Sequence, residues 1–190
     1  MKSLFRFAGI LILLPVLASL VACNSDDDDV WDKNREWREQ NVAFFKSMRD
    51  SLDADGNLYY QTIYPDWNPS AEVLIHYFND RSLTAGNLRP LFTSTCDVIY
   101  YGQLINATPF DSSYRQTTYG SAIARLTPQK TVTGFAIALT DMHVGDSVEV
   151  LIPYELAYGD RQSSVIKPYS TLKFNMRLVD IAGYEIRPSN

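Results

Sequence analysis

Two histidines and two cysteines supply all the imidazole and thiol in 190 residues, so metal and nucleophile chemistry have few candidates. His76 stands among apolar residues with no second histidine near it in sequence, and His143 lies beside an expected helix end. No cysteine pair with ligand spacing accompanies either, and a metal site is not expected. The stretch "DADGN" (53–57) has the flavour of a calcium loop. Its Gly56 comes too early, however, and Tyr64 stands where the bidentate acid belongs, so it reads as a plain turn. No His, Cys or serine elbow stands out as a catalytic centre. What remains is aromatic and apolar. "VLIPYELAYGD" (150–160) sets Tyr154, Leu156, Ala157 and Tyr158 between the turn-makers Pro153 and Gly159, in a chain of which 21% is charged. A surface loop has no reason to be that apolar unless something covers it or enters beside it.

The elements that hold this loop follow from patterning. The C-terminal "TLKFNMRLVDI" alternates Leu172, Phe174, Met176 and Leu178 with Lys173, Asn175, Arg177 and Val179, a strand with one buried face. "GFAIALTDMHVG" places Phe135, Ala138, Leu139 and Met142 at i, i+3, i+4 and i+7 and stops at Gly145, predicting a short amphipathic helix. "NLYYQTIY", "EVLIHYFN" and "TCDVIYYGQL" read as strands, the first two separated by the turn-rich "PDWNPS". Strands on both sides of a short helix predict an α+β fold, an antiparallel sheet packed over that helix. Nearer the N-terminus, Trp37, Phe44, Phe45, Met48 and Leu52 mark one face of a helix running from Trp31 to about Leu52. That face docks on its own domain or forms a dimer contact.

The first 22 residues follow another logic. Lys2 and Arg6 give a basic start, the apolar run is too short and Pro-broken for a comfortable membrane span, and small residues precede Cys23. The ending Leu20-Val21-Ala22-Cys23 resembles a bacterial lipobox, implying removal of 1–22 and a lipid on Cys23 that anchors the chain to the outer membrane of the cell envelope. Several acyl chains hold stably, at about 0.8 kcal/mol per buried CH₂. Only Cys96 then remains as a thiol, leaving no intramolecular disulfide. Loss of Lys2 and Arg6 takes the 17 basic residues to 15 against 22 acidic ones, a net charge of −7, with no basic stripe, which excludes nucleic-acid binding. Residues 23–30, with "NSDDDDV", are expected to form a solvated, disordered acidic tether. They also resemble the acidic surface-export signals of Bacteroidetes-type lipoproteins, and a plain hydrophilic spacer accounts for them equally. The expected organisation is thus signal 1–22, tether 23–30, helix 31–55, strands with an inserted hairpin 56–94, and a core 95–190.

That core resembles the FKBP family of peptidyl-prolyl cis/trans isomerases over about residues 95 to 181. The pieces come in order: "VIYYGQL", "FDSS" (110–113), "TVTGFAIALTDMHVGD", "IPYELAYG" and "VIKPYSTLKFNMRLVDI". The resemblance implies a bent antiparallel sheet wrapping the short helix, with a substrate proline entering an aromatic hollow between them. It also implies site roles. Tyr158 reaches over the hollow with its hydroxyl available to a substrate carbonyl; Tyr100 and Phe110 line it, and Asp111 accepts a hydrogen bond at its rim. Val132 meets the ligand through its backbone, Phe135 forms the floor, Ile166 part of the roof, and Phe174 the back. Phe135 stands where the family commonly has tryptophan, and the two wall aromatics fall on Ala122 and Ala124, leaving a wall stripped unless Tyr119 or the extra strand covers it. Weaker binding of the family's macrolide inhibitors follows.

The implied reaction needs no cofactor, metal or nucleophile, and the implied partners are proline-containing polypeptides, exported or at the cell surface, for which the protein is a folding helper. Two other functions fit the same sequence. One is a non-catalytic module that uses the hollow to bind a peptide or protein. The other is a subunit of a surface assembly, with an oligomer built through the N-terminal helix and the fold as scaffold.

Overall fold

The computed structural model describes residues 26–183. The signal segment 1–22, Cys23 and the first residues of the tether lie outside that range. Two helices come first, α1 (Asp26–Lys33) and α2 (Arg35–Arg49), then strands β1 (Gln61–Ile63), β2 (Val73–Tyr77), β3 (Cys96–Leu104), β4 (Pro109–Ser112) and β5 (Ala124–Leu126). Helix α3 (Thr133–Asp141) separates these from β6 (Ser147–Ile152) and β7 (Leu172–Ile181). All seven strands form one antiparallel sheet in the order β1-β2-β6-β7-β3-β4, with β5 paired to the first residues of β3. This is the α+β arrangement the patterning predicts. Among the described residues no helix is long and apolar enough to cross a membrane.

Helix α3 lies in the core rather than on it. Gly134 through Leu139 are all buried, so the helix is covered on every side, not amphipathic as the i, i+3, i+4 spacing suggests. The close approach needs Gly134, because a Cβ there would come within 2.2 Å of Ile152 on β6. Inward residues of four strands surround it: Val73 and Ile75 of β2, Val98 of β3, Val148, Val150 and Ile152 of β6, and Leu172, Phe174, Met176 and Leu178 of β7. The alternation along β7 appears as expected, with each of those four buried and Asn175 and Arg177 exposed.

The hairpin β1–β2 is not a separate appendage. Leu74 through Tyr77 pair with Leu151 back to Val148, so residues 56–94 extend the same sheet. The opposite face of this end carries α2, whose Phe45 meets Tyr60, Leu74 and Leu151. The N-terminal helix therefore docks on its own domain. It departs from expectation at both ends: helix begins at Asp26, inside the segment expected to be a disordered tether, and stops at Arg49, leaving Leu52 exposed. Its contact face is also more polar than the aromatic spacing implies, since Asn41 is fully buried. Asn41 Nδ2 donates to the Trp37 carbonyl (2.7 Å), and its Oδ1 accepts the Thr171 N–H (2.8 Å).

Candidate functional site

Strand β6 ends at Ile152, and Pro153 caps a 3-10 turn over Tyr154–Leu156, which explains why the following loop is apolar. Tyr154 packs edge-on against Tyr169 at 5.3 Å, while Leu156, Ala157 and Tyr158 lie against the main core. There Ala157 and Tyr158 form one side of an open cavity of about 530 Å³. Residues from β3 (Tyr100), β4 (Phe110, Asp111), the start of α3 (Val132, Phe135) and β7 (Phe174) complete it, and Tyr158 contributes from the loop.

The aromatic walls are built around one ring. Phe174 meets Phe135 at 5.1 Å, Phe110 at 5.3 Å and Tyr100 at 6.2 Å, and Tyr100 meets Phe135 at 5.8 Å, all steeply inclined. Edge-to-face contacts of this kind fix ring orientation. Gly102 makes the arrangement possible: a Cβ there would sit 2.7 Å from both Phe110 and Phe174. At the rim the Tyr100 hydroxyl donates to Asp111 Oδ2 (3.0 Å), and Asp111 Oδ1 accepts the Ser112 N–H (2.8 Å). Burial, reinforced by the Asp111 charge, pushes the Tyr100 phenol well above its ordinary pKa, so it remains a donor. Val132 is the N-cap of α3, and no side chain caps the helix there.

The sequence expectations thus converge at one place with an exception. Ile166 is buried at 4% exposure in the same apolar cluster but does not line the cavity. A tight bridge in which Ile166 and Ser163 exchange backbone hydrogen bonds holds it in the core. The two alanines leave no wall of their own: Ala122 sits at φ 63° in the turn before β5, and Ala124 pairs with Val98. Tyr119 does not fill the gap, because it stacks on the Arg125 guanidinium at 4.1 Å, itself bonded to Asp97 through two nitrogens. Leu126 and Leu172 line the cavity and were missed, as were Lys130 and Arg161. Of these, only Leu172 carried a signal, its place in the alternation of β7.

The histidines are occupied elsewhere. His76 stacks on Tyr59 at 3.9 Å with its Nδ1 2.7 Å from the Tyr59 carbonyl. His143 lies against Arg81 and Asp146, near the end of α3. "DADGN" is a turn in which Asp53 Oδ1 accepts the N–H groups of Asp55 and Asn57.

A sheet wrapped on one central helix, with an aromatic cup between them, defines the class of domain. Residues 88–179 match the family described as FKBP-type peptidyl-prolyl cis-trans isomerase, and this part of the chain belongs to that family. It is similar to the macrophage infectivity potentiator of Trypanosoma cruzi, 36% identical over 101 residues, covering 51% of this chain and 48% of that protein. The FKBP-type 22 kDa peptidyl-prolyl cis-trans isomerase of Escherichia coli is 40% identical over 93 residues, covering 48% and 43%. The chain therefore spans about half the length of these curated relatives. Among solved structures, FkpA of Escherichia coli aligns with a TM-score of 0.53 at 24% identity, over 82% of this chain and 61% of that one. A peptidyl-prolyl cis-trans isomerase from Pseudomonas syringae aligns with a TM-score of 0.54 at 17% identity, over 83% and 97%. At these identities the structural likeness concerns the fold.

Proposed function

We propose that this protein is a peptidyl-prolyl cis-trans isomerase that takes the proline of an Xaa-Pro bond into the cup formed by Tyr100, Phe110, Phe135 and Phe174. The observation that carries this reading is the convergence of these rings and Tyr158 on one cavity that the chain's own side chains do not fill. Its volume falls within the ~300–1,000 Å³ of ligand clefts. Rotation about an Xaa-Pro bond meets a barrier of about 18–20 kcal/mol because the C–N bond must lose resonance as it twists. Twisting also reduces the amide's charge separation. A dry aromatic lining disfavours the polar planar form relative to the twisted one, and a hydroxyl at Tyr158 or an amide at Val132 holds a substrate carbonyl while the bond turns. Every ~1.4 kcal/mol of that difference gives about tenfold in rate. Nothing is protonated, attacked or oxidised in this scheme.

The test is a protease-coupled assay with an Xaa-Pro peptide. Acceleration is expected, falling by about tenfold or more in Tyr158→Phe if that hydroxyl holds the carbonyl. The stripped wall at Ala122 and Ala124 favours a second reading, a peptide-binding cup without catalysis. Peptide binding without acceleration at high protein concentration selects it.

We also propose that the protein works in the cell envelope on exported polypeptides, held to the outer membrane through lipid on Cys23. The signal-like residues 1–22 and the small residues before Cys23 support this. Metabolic labelling with a radioactive fatty acid should mark the wild-type chain and not Cys23→Ser; equal labelling of both would refute the anchor.

A further inference from the structure

We infer that the cup prefers prolines preceded by an acidic side chain, read chiefly by Arg161 with help from Lys130. This rests on the isomerase reading above and specifies its substrate class.

Three charged side chains line the cavity: Asp111, Lys130 and Arg161. Asp111 is already engaged, accepting from the Tyr100 hydroxyl and the Ser112 amide. Lys130 and Arg161 are exposed, and neither side chain has a hydrogen bond or ion pair among the described residues. Among the described arginines of this chain, Arg115 and Arg177 are likewise without an ion pair, but neither lines this cavity. Arg35, Arg49, Arg81, Arg89 and Arg125 each pair with one of the chain's carboxylates, in a protein whose acidic residues outnumber its basic ones by 22 to 17. Asp160 directly precedes Arg161 but does not line the cavity. The aromatic cup of an acidic protein thus keeps two uncommitted cations at its mouth.

Their placement says which neighbour of the proline they read. The Arg161 N–H donates to the Tyr158 carbonyl at 3.2 Å, so both residues stand on one turn. We take the carbonyl held by the Tyr158 hydroxyl to be that of the residue before proline, whose side chain then extends beside the neighbouring turn that carries Arg161. Lys130 ends the 3-10 turn two positions before Val132, the N-cap of α3, and adds its charge to the same cavity. Exposed charges interact weakly and are screened by salt. Two together should favour Glu over its neutral isostere by about three- to tenfold at low ionic strength.

The experiment compares kcat/KM for tetrapeptides Ala-Xaa-Pro-Phe with Xaa as Glu, Gln or Lys, at low and high salt. The order Glu, Gln, Lys is expected, with a Glu-to-Lys ratio of about tenfold or more that collapses toward unity at high salt. Arg161→Gln should lower the ratio more than Lys130→Gln, and the double variant should abolish it. Both positions are exposed, so thermal melts should coincide with wild type. A wild-type ratio of one or less, or a ratio the double variant leaves intact, overturns the inference while the isomerase reading stands. If no peptide is accelerated, the isomerase reading has failed, and binding of the same peptides by fluorescence anisotropy decides the charge preference alone: affinity in the order Glu, Gln, Lys supports it, and equal affinities overturn it.

Discussion

On the α3 side of the sheet the interior is dry: Val73, Ile75, Val98, Val148, Val150, Leu172 and Leu178 are fully buried and carry no polar side-chain atom. On the α2 side, burial is shared with hydrogen-bonding groups. Tyr60 donates to Glu149, Lys173 Nζ lies 2.6 Å from Glu149 Oε2, and Asn41 joins α2 to Thr171. The two sides do different work. The cup proposed to take in a proline ring gains from aromatic rings set on this apolar interior. The outer side needs directional bonds that fix a helix and a loop in one place, since apolar contact alone permits sliding.

The bonds on the outer side reach the cup. Trp37 Nε1 donates to Ser170 Oγ (2.9 Å) and Asn41 holds the Thr171 amide. One residue earlier, the Tyr169 N–H donates to the Gly159 carbonyl at 2.7 Å, next to Tyr158. Tyr169 adopts φ 62°, an uncommon conformation for a residue with a Cβ, which needs neighbours to hold it.

The contrast can be broken from either side. Phe174→Ala removes the ring on which the cup's other aromatics lean and should cost about 3–5 kcal/mol in urea denaturation, together with any isomerase activity. Asn41→Ala leaves the buried Thr171 amide without its acceptor and should cost about 1–3 kcal/mol. It should also lower kcat/KM, though less than Phe174→Ala does, because only the support of Tyr158 loosens. An unchanged kcat/KM would show the two sides to be independent. The smallest effect is with pH. Burial, reinforced by Asp97, pushes the Cys96 thiol from 9.0 up to about 11, and burial and Glu149 push Tyr60 in the same direction. The folded state holds these protons more tightly than the unfolded chain. Their stabilisation is therefore complete below about pH 9, and for Cys96 it is lost as pH climbs toward about 11. Chemical denaturation across that interval should show a shallower decline in Cys96→Ala than in wild type.

The dry side was the legible one. Alternation in β7 and the apolar run of α3 announce it over short stretches, and the ordered motifs from Tyr100 to Phe174 resemble a known family closely enough to bring the rings together. Ile166 escaped because a local bridge, invisible to pattern, decides whether a side chain faces a cavity or the core. Gly102 escaped because a glycine in a strand does not say which two rings will need its space. The polar side was hardly legible at all. Asn41 and Thr171 lie 130 residues apart, and nothing in either neighbourhood marks it as half of a bond. The spare cations at Lys130 and Arg161 are visible only once the lining of the cavity is known.

The pairing of β2 with β6 has a practical consequence. The stretch that resembles the family starts at residue 88, yet Val73 and Ile75 stand inside the same apolar interior as α3. A fragment trimmed to the recognisable region would lose β1 and β2, leave β6 with an open edge, and uncover Leu151 to water. The unit that evolution marks by similarity and the unit that folds are not the same length here, and cutting at the former invites aggregation.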